Sequence, residues 1–119
     1  MAICLCYERC TTCKRALKWL DEGGVNYTKR DIKTDNPSYQ ELKSWYEKSG
    51  RPIKRFFNTS GNAYKDLALK DRLPTMTGDE ALKLLSTNGM LVKRPLFIDD
   101  DKVLVGFKEA EWEDYFTEY

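Results

Sequence analysis

The first apolar segment of the chain alternates in the manner of a β-strand. One face of the segment carries Ile3, Leu5 and Tyr7. The opposite face carries Cys4 and Cys6, which are small and apolar enough for a core. A strand that is apolar on both faces is typical of a sheet covered by helices on both sides. We therefore predict a central strand here, with both cysteines in the core.

The apolar period then lengthens to that of an amphipathic helix. The residues that recur on its apolar face are Cys13, Ala16, Leu17 and Leu20. This spacing predicts a helix from residue 14 to about residue 21, and Gly23-Gly24 follows in the usual place of a left-handed cap. A second strand over residues 25–32 would complete a strand–helix–strand unit with parallel strands.

Helical patterns alone occupy the middle of the chain. Ser38 with Glu41 and Thr77 with Glu80 have the spacing of capping boxes, which mark the first turns of helices. Two further helices are predicted over residues 52–57 and 62–71. This part of the chain therefore reads as a helical insertion.

Two short apolar runs near the end of the chain predict a β-hairpin. They cover residues 96–98 and 103–105 and flank Asp99-Asp100-Asp101. Three successive aspartates could instead indicate a divalent cation, but the spacing, glycine and glutamate of an EF-hand are missing. A polar hairpin loop is the favoured interpretation, and a last helix follows over residues 108–116.

The length of 119 residues fits one α/β domain with a real core. We predict a frame formed by residues 1–33 and 91–119 and a helical insertion over residues 34–90. The 20 basic residues nearly balance the 19 acidic residues, giving a net charge of +1. Direct nucleic-acid binding and membrane binding are therefore not expected. Four basic residues within 9–18 and five acidic residues within 109–119 are interpreted as solvated helix faces.

The absence of histidine excludes a His general base and His metal ligands, so a nucleophile would depend on a helix dipole or cationic neighbours. The first strand begins too early for a signal peptide, and no apolar run approaches the roughly 18 residues of a membrane span. We therefore expect a cytoplasmic protein. In that compartment, cysteines are more often catalytic or buried than joined in structural disulfides.

The candidate chemistry lies in Cys10-Thr11-Thr12-Cys13, between the first strand and the first helix. Cys10 is predicted at the helix start, where backbone N–H groups and the helix dipole favour the thiolate form of its sulfur. Lys14 and Arg15 add positive charge. Cys13 belongs to the apolar face and should be shielded. An exposed nucleophile beside a shielded partner is the arrangement that thiol–disulfide exchange requires.

Other interpretations of the cysteines remain open at this point. The pair could be inert, or it could bind a metal between two subunits. The four cysteines could also form a zinc site, although a strand and a helix that meet at a tight turn do not easily aim four sulfurs at one tetrahedral point.

With Cys10-Thr11-Thr12-Cys13-Lys14, Lys93-Arg94-Pro95 and Val105-Gly106-Phe107 in this order, the chain resembles the arsenate reductase (ArsC) and Spx-like family, in particular its uncharacterised ArsC-related branch. The resemblance covers nearly the whole chain. It implies a thioredoxin-like fold, namely a mixed four-stranded sheet flanked by helices, here with the helical insertion.

The resemblance also implies roles for individual residues. Cys10 matches the nucleophilic cysteine, Pro95 the cis-proline beside the active sulfur, and Arg94 an arginine that faces the nucleophile. Thr11, Thr12 and Lys14 are auxiliary candidates. Arsenate reductases of this type commonly carry a single cysteine at this loop, whereas this chain has its own second thiol, Cys13. A disulfide between Cys10 and Cys13 is therefore the expected oxidised state, and no bound cofactor or metal is expected.

Two departures from the family pattern bear on function. Arsenate reductases of this type surround their anion with three arginines, whereas Ser60 and Phe107 stand here at two of those positions. Arg55 or Arg51 could substitute for them in space.

Three functions follow as hypotheses. The first is a thiol-disulfide oxidoreductase or thiol-dependent reductase, reset by an external reductant such as glutathione with glutaredoxin, or thioredoxin. The second is an Spx-like redox-sensing regulator that binds the RNA polymerase α subunit. The third is arsenate reduction, which the two missing arginines disfavour.

Overall fold

The computed structural model describes residues 2–100 and 102–117. Its strands and helices are, in chain order, β1 Ile3–Cys6, α1 Thr11–Glu22, β2 Thr28–Asp31, α2 Tyr39–Ser49, α3 Asn62–Asp66, α4 Leu69–Arg72, α5 Gly78–Leu85, β3 Leu96–Ile98, β4 Val103–Val105 and α6 Glu109–Thr117. Short 3-10 turns cover Ile53–Phe56, Leu73–Thr75 and Gly89–Leu91.

The four strands form one mixed sheet in the order β2-β1-β3-β4. The β1 strand pairs in parallel with β2, with Ile3 opposite Thr28, and antiparallel with β3, with Ile3 opposite Ile98. The β3 and β4 strands pair antiparallel as the predicted hairpin. The predicted α/β class and thioredoxin-like sheet are therefore confirmed. Asp101, part of the predicted hairpin loop, lies outside the described residues.

Each face of the sheet covers its own hydrophobic core. Leu5 of β1 belongs to the core on the side of the helices between β2 and β3. Cys4 and Cys6 belong to the opposite core, where Trp112 of α6 and Leu20 of α1 pack against the sheet. The alternation of β1 thus separates the two cores as predicted, and both cysteines are core residues at 0% and 5% exposure.

The first helix begins earlier than predicted. It starts at Thr11, not at residue 14, because the Cys10 side chain caps it. Gly24, with φ of +68°, supplies the expected left-handed residue at the end of the helix. The second strand is shorter than the predicted 25–32 and covers only Thr28–Asp31.

The capping boxes of the insertion are both formed. Ser38 and Glu41 exchange side-chain and backbone hydrogen bonds at the start of α2, and Thr77 and Glu80 do the same at the start of α5. The insertion packs against the sheet, and its aromatic residues contribute to the shared core.

The predicted helix over residues 62–71 is wrong, because the chain forms α3 and α4 with a break at Ala68, whose φ is +53°. Tyr64 and Leu69 are both buried. Five residues apart, they would point about 140° away from each other on one continuous helix. The break lets both side chains enter the core.

Gly89 fixes the return of the insertion to the sheet. It is buried, and a Cβ atom at this position would lie 1.8 Å from the carbonyl oxygen of Ile32. Only glycine allows the two backbones to approach this closely.

None of the helices in the described part of the chain is both long and apolar enough to cross a bilayer.

Candidate functional site

A cavity of about 940 Å³ opens beside the start of α1. Its walls come from four separated parts of the chain. Cys10, Thr11 and Thr12 form one wall, residues 52–61 of the insertion form the second, and the segments before β3 and after β4 complete it. The sheet order explains this meeting, because β1 and β3 are neighbours and their connections reach the same end of the sheet.

Cys10 is the N-cap residue of α1 and is half-buried. Its backbone is extended, with φ of −89° and ψ of 115°, and its N–H donates to the carbonyl of Tyr7 at 3.0 Å. Its Sγ accepts a hydrogen bond from the backbone N–H of Cys13 at 3.4 Å. The sulfur therefore occupies the position of an anion at a helix N-terminus, as predicted.

Cys13 lies one turn further on and is 1% exposed. A hydrogen bond with the thiol of Cys6, followed by burial, raises the pKa of the Cys13 thiol. For Cys6, the contact with Cys13 lowers the pKa, but the contact with Cys4 and burial raise it by more. The sulfurs of Cys4 and Cys6 are 3.5 Å apart. All four cysteines are free, and the raised pKa of Cys13 favours its neutral thiol form.

Arg94 lines the cavity with an unusual guanidinium. Its Nε and Nη1 atoms are buried and have no hydrogen-bond partner among the described residues. Its central carbon lies 5.2 Å from the ring centroid of Tyr7. Buried donors without partners are costly, so this guanidinium is an unusual feature of the described structure.

Pro95 follows Arg94 through a cis peptide bond, which confirms this part of the predicted geometry. The residue is buried, and its carbonyl accepts a hydrogen bond from the N–H of Gly106 at 2.9 Å. This bond joins the segments on either side of the β3–β4 hairpin and fixes the wall opposite α1.

The auxiliary candidates divide between two cavities. Thr11 and Thr12 line the cavity of Cys10. Lys14 is exposed and lies instead at a smaller cavity of about 290 Å³, where Cys6 and Cys13 also contribute to the wall. The proposed role of Lys14 beside the Cys10 sulfur remains a prediction.

The positions that depart from the family pattern also face the large cavity. Ser60 and Phe107 both line it. Arg55 lines it as well, whereas Arg51 lies outside and pairs with Glu111 through an Nη2–Oε1 distance of 2.6 Å. The same carboxylate lies 3.8 Å from Arg55. Of the two substitutes considered, Arg55 is the one that reaches the site.

Most of the positive charge at this site was not predicted from the sequence. Seven basic residues line the cavity, and we call them the basic cluster: Arg9, Arg15, Lys54, Arg55, Lys93, Arg94 and Lys108. The run of basic residues within 9–18 was the available sequence signal for this charge. Only part of the run reaches the site, because Arg9 and Arg15 line the cavity whereas Lys14 and Lys18 do not.

Within residues 2–100 and 102–117, no three or more Cys, Asp or Glu side chains are arranged to hold a metal ion. The described site combines a helix-capping sulfur, a buried thiol and a cationic cavity.

Comparison with known proteins gives consistent matches. The model of the ArsC family matches residues 5–115. The chain is 51% identical over 108 residues to the uncharacterized protein YusI of Bacillus subtilis strain 168, covering 91% of this chain and 92% of that protein. It is 24% identical to global transcriptional regulator Spx 2 of Bacillus anthracis, covering 86% of this chain and 76% of the regulator.

Two solved structures extend the comparison to the fold. An ArsC family related protein from Bacteroides fragilis superposes with a TM-score of 0.93 at 54% identity, covering 95% of each chain. A possible arsenate reductase from Streptococcus mutans UA159 superposes with a TM-score of 0.90 at 41% identity, covering 98% of each chain.

Proposed function

This chain belongs to the ArsC family, and from that premise we propose that it is a thiol-dependent reductase whose redox centre is Cys10 with Cys13. The observation that carries the proposal is the asymmetry of the two sulfurs. Cys10 caps a helix in the wall of a cationic cavity, whereas Cys13 is buried directly behind it with a raised pKa.

The reaction begins with Cys10. Its thiolate attacks one sulfur of an oxidised substrate disulfide, the substrate S–S bond breaks, and the leaving sulfur departs as a thiolate that takes up a proton from water. A mixed disulfide then joins Cys10 to the substrate. Arg94 lines the same cavity, and the proposed role of its guanidinium is to stabilise negative charge on sulfur there.

Cys13 completes the first half of the cycle. It loses its proton and attacks the Sγ of Cys10, forming the Cys10–Cys13 disulfide and releasing the reduced substrate. An external dithiol or two monothiols, of the thioredoxin or glutathione–glutaredoxin type, then supplies two electrons and restores both thiols.

Turnover of a low-molecular-weight disulfide with an external reductant tests this function. Cys10→Ser is expected to abolish turnover, because an unactivated serine hydroxyl is a far weaker nucleophile than a thiolate at neutral pH. Cys13→Ser is expected to stop the cycle at the mixed disulfide. Cys4→Ala is a suitable control, because Cys4 is a core residue that does not line the cavity. Wild-type turnover in both serine variants would refute the proposal.

A redox-sensing regulator is the second candidate function. Spx-type relatives are named global transcriptional regulators, and the same cysteine pair could serve as a switch without turnover. The family resemblance predicts the RNA polymerase α subunit as the partner. A binding assay with that subunit under reducing and oxidising conditions discriminates the two functions, since a reductase needs no such contact.

Arsenate reduction is disfavoured by the residues at the cavity. Ser60 and Phe107 supply no positive charge where arginines are expected, and each charge-assisted hydrogen bond to an anion contributes about 1.5–3 kcal/mol. Of the two substitutes considered, Arg51 and Arg55, Arg55 is the one that lines the cavity and could compensate. Arsenate-dependent oxidation of a thiol reductant, measured against buffer, tests this activity directly.

A further inference from the structure

Charge is distributed very unevenly between the cavity and the rest of the chain. The chain has 20 basic and 19 acidic residues. Seven of the basic residues form the basic cluster, whereas none of the described acidic residues lines the cavity. A protein that is nearly neutral overall therefore presents a strongly positive surface at Cys10, and clefts of one sign concentrate ligands of the opposite sign.

Most of this charge is not neutralised by the protein itself. Among the described residues, Arg55 is the member of the basic cluster that forms an ion pair, and its partner Glu111 lies at 3.8 Å. Arg94 keeps two buried donors without a described partner. Arg15 lies over the ring of Phe107 at 6.0 Å, which leaves its charge available to a ligand. The cluster is thus arranged for an external anion.

The size of the cavity indicates an extended ligand. Its volume of about 940 Å³ is near the upper end of the roughly 300–1,000 Å³ that is usual for ligand pockets. A small oxyanion would contact only a few members of the basic cluster. A peptide-sized ligand with its sulfur at Cys10 could contact Arg94 on one side and Lys54 and Arg55 of the insertion on another.

We propose that the substrate of Cys10 is an acidic polypeptide segment whose oxidised cysteine is flanked by carboxylates. This inference rests on the proposed thiol chemistry and adds the substrate class. The carboxylates bind the basic cluster and hold the disulfide sulfur against Cys10. Glu111 competes for Arg55 from within the chain, so it limits how tightly acidic substrates bind.

Three matched peptides test the substrate class. Each carries one cysteine as a 2-pyridyl disulfide, flanked by four glutamates, four glutamines or four lysines. Attack by Cys10 forms a Cys10–peptide disulfide, breaks the peptide–pyridyl S–S bond and releases 2-thiopyridone. The absorbance of 2-thiopyridone gives the rate of this attack. The order of rates is expected to be glutamate, then glutamine, then lysine.

The electrostatic origin of this order can be checked with salt and with variants. The glutamate-to-lysine rate ratio is expected to be about 10–10³ at low salt and to shrink towards one near about 1 M salt. Arg55→Glu and Lys108→Glu should each reduce the ratio several-fold. Lys70→Glu makes the same charge change on exposed α4, away from the cavity, and should leave the ratio nearly unchanged. Glu111→Gln should raise the ratio, because it removes the carboxylate that pairs with Arg55.

The outcomes separate this inference from the proposed function. Equal rates for the three peptides, with attack lost in Cys10→Ser, would leave the thiol chemistry standing and overturn the acidic substrate. An equal loss of ratio in Lys70→Glu and Arg55→Glu would also overturn it, because the effect would then come from net charge. If wild-type protein releases 2-thiopyridone no faster than the Cys10→Ser variant, both the proposed function and the acidic substrate class are overturned.

Discussion

At the scale of single residues, the two sulfurs of the pair differ because of their surroundings. Cys10 accepts a backbone hydrogen bond at the start of a helix and opens to the cavity. Cys13 contacts the thiol of Cys6 inside the core. The sequence predicted this division from the position of Cys13 on the apolar helix face. It did not predict the effect of Cys6 on the pKa of Cys13, because the proximity of a strand thiol to a helix thiol depends on the three-dimensional fold.

The raised pKa of Cys13 leads to a prediction about pH. In the proposed cycle Cys13 attacks as a thiolate, and below its pKa the thiolate fraction rises about tenfold per pH unit. Decay of a preformed mixed disulfide at Cys10 should therefore accelerate steadily from about pH 6 to about pH 9. Mass spectrometry of quenched samples measures this decay.

Cys13→Ser is the matched control for the decay experiment, and its mixed disulfide should persist over the whole pH range. Decay that does not depend on pH in the wild type, or that continues unchanged in the serine variant, would contradict the assignment of Cys13 as the resolving thiol.

At the scale of elements, the starts of α2 and α5 were well predicted, because a capping box is a local signal that the structure reproduces at Ser38 and Thr77. The β3–β4 hairpin also has its predicted bounds. The break at Ala68 could not be predicted, since it depends on burying both Tyr64 and Leu69 against distant parts of the core. Local preference was overridden there by tertiary packing.

The return of the insertion to the sheet supplies a prediction about stability. Gly89→Ala would place a methyl carbon 1.8 Å from the Ile32 carbonyl oxygen, so the backbone must shift. The free energy of unfolding should fall by at least about 1–3 kcal/mol. Gly78→Ala is the matched control, because a Cβ there meets nothing within 4 Å, and its effect should stay within about 1 kcal/mol. Urea denaturation of both variants measures the difference, and equal stabilities would refute the close approach.

At the scale of the whole molecule, one sheet separates two cores, and four chain segments meet at the cavity of Cys10. The fold and the cysteine pair could be recognised from the sequence. The basic cluster could not, because its members range from Arg9 to Lys108 and converge only after folding. Glu111 of α6 holds Arg51 and Arg55 of the insertion, so the last helix also helps to shape the cavity.

The central claim is that Cys10 and Cys13 act as one redox pair, and disulfide mapping tests it most directly. Protein treated with one equivalent of a low-molecular-weight disulfide is digested without reduction and its cysteine-containing peptides are identified. The expected product is a monomer with a Cys10–Cys13 disulfide and with Cys4 and Cys6 still reduced. A stable adduct on Cys10 with Cys13 unreacted, or no reaction at Cys10, would contradict it.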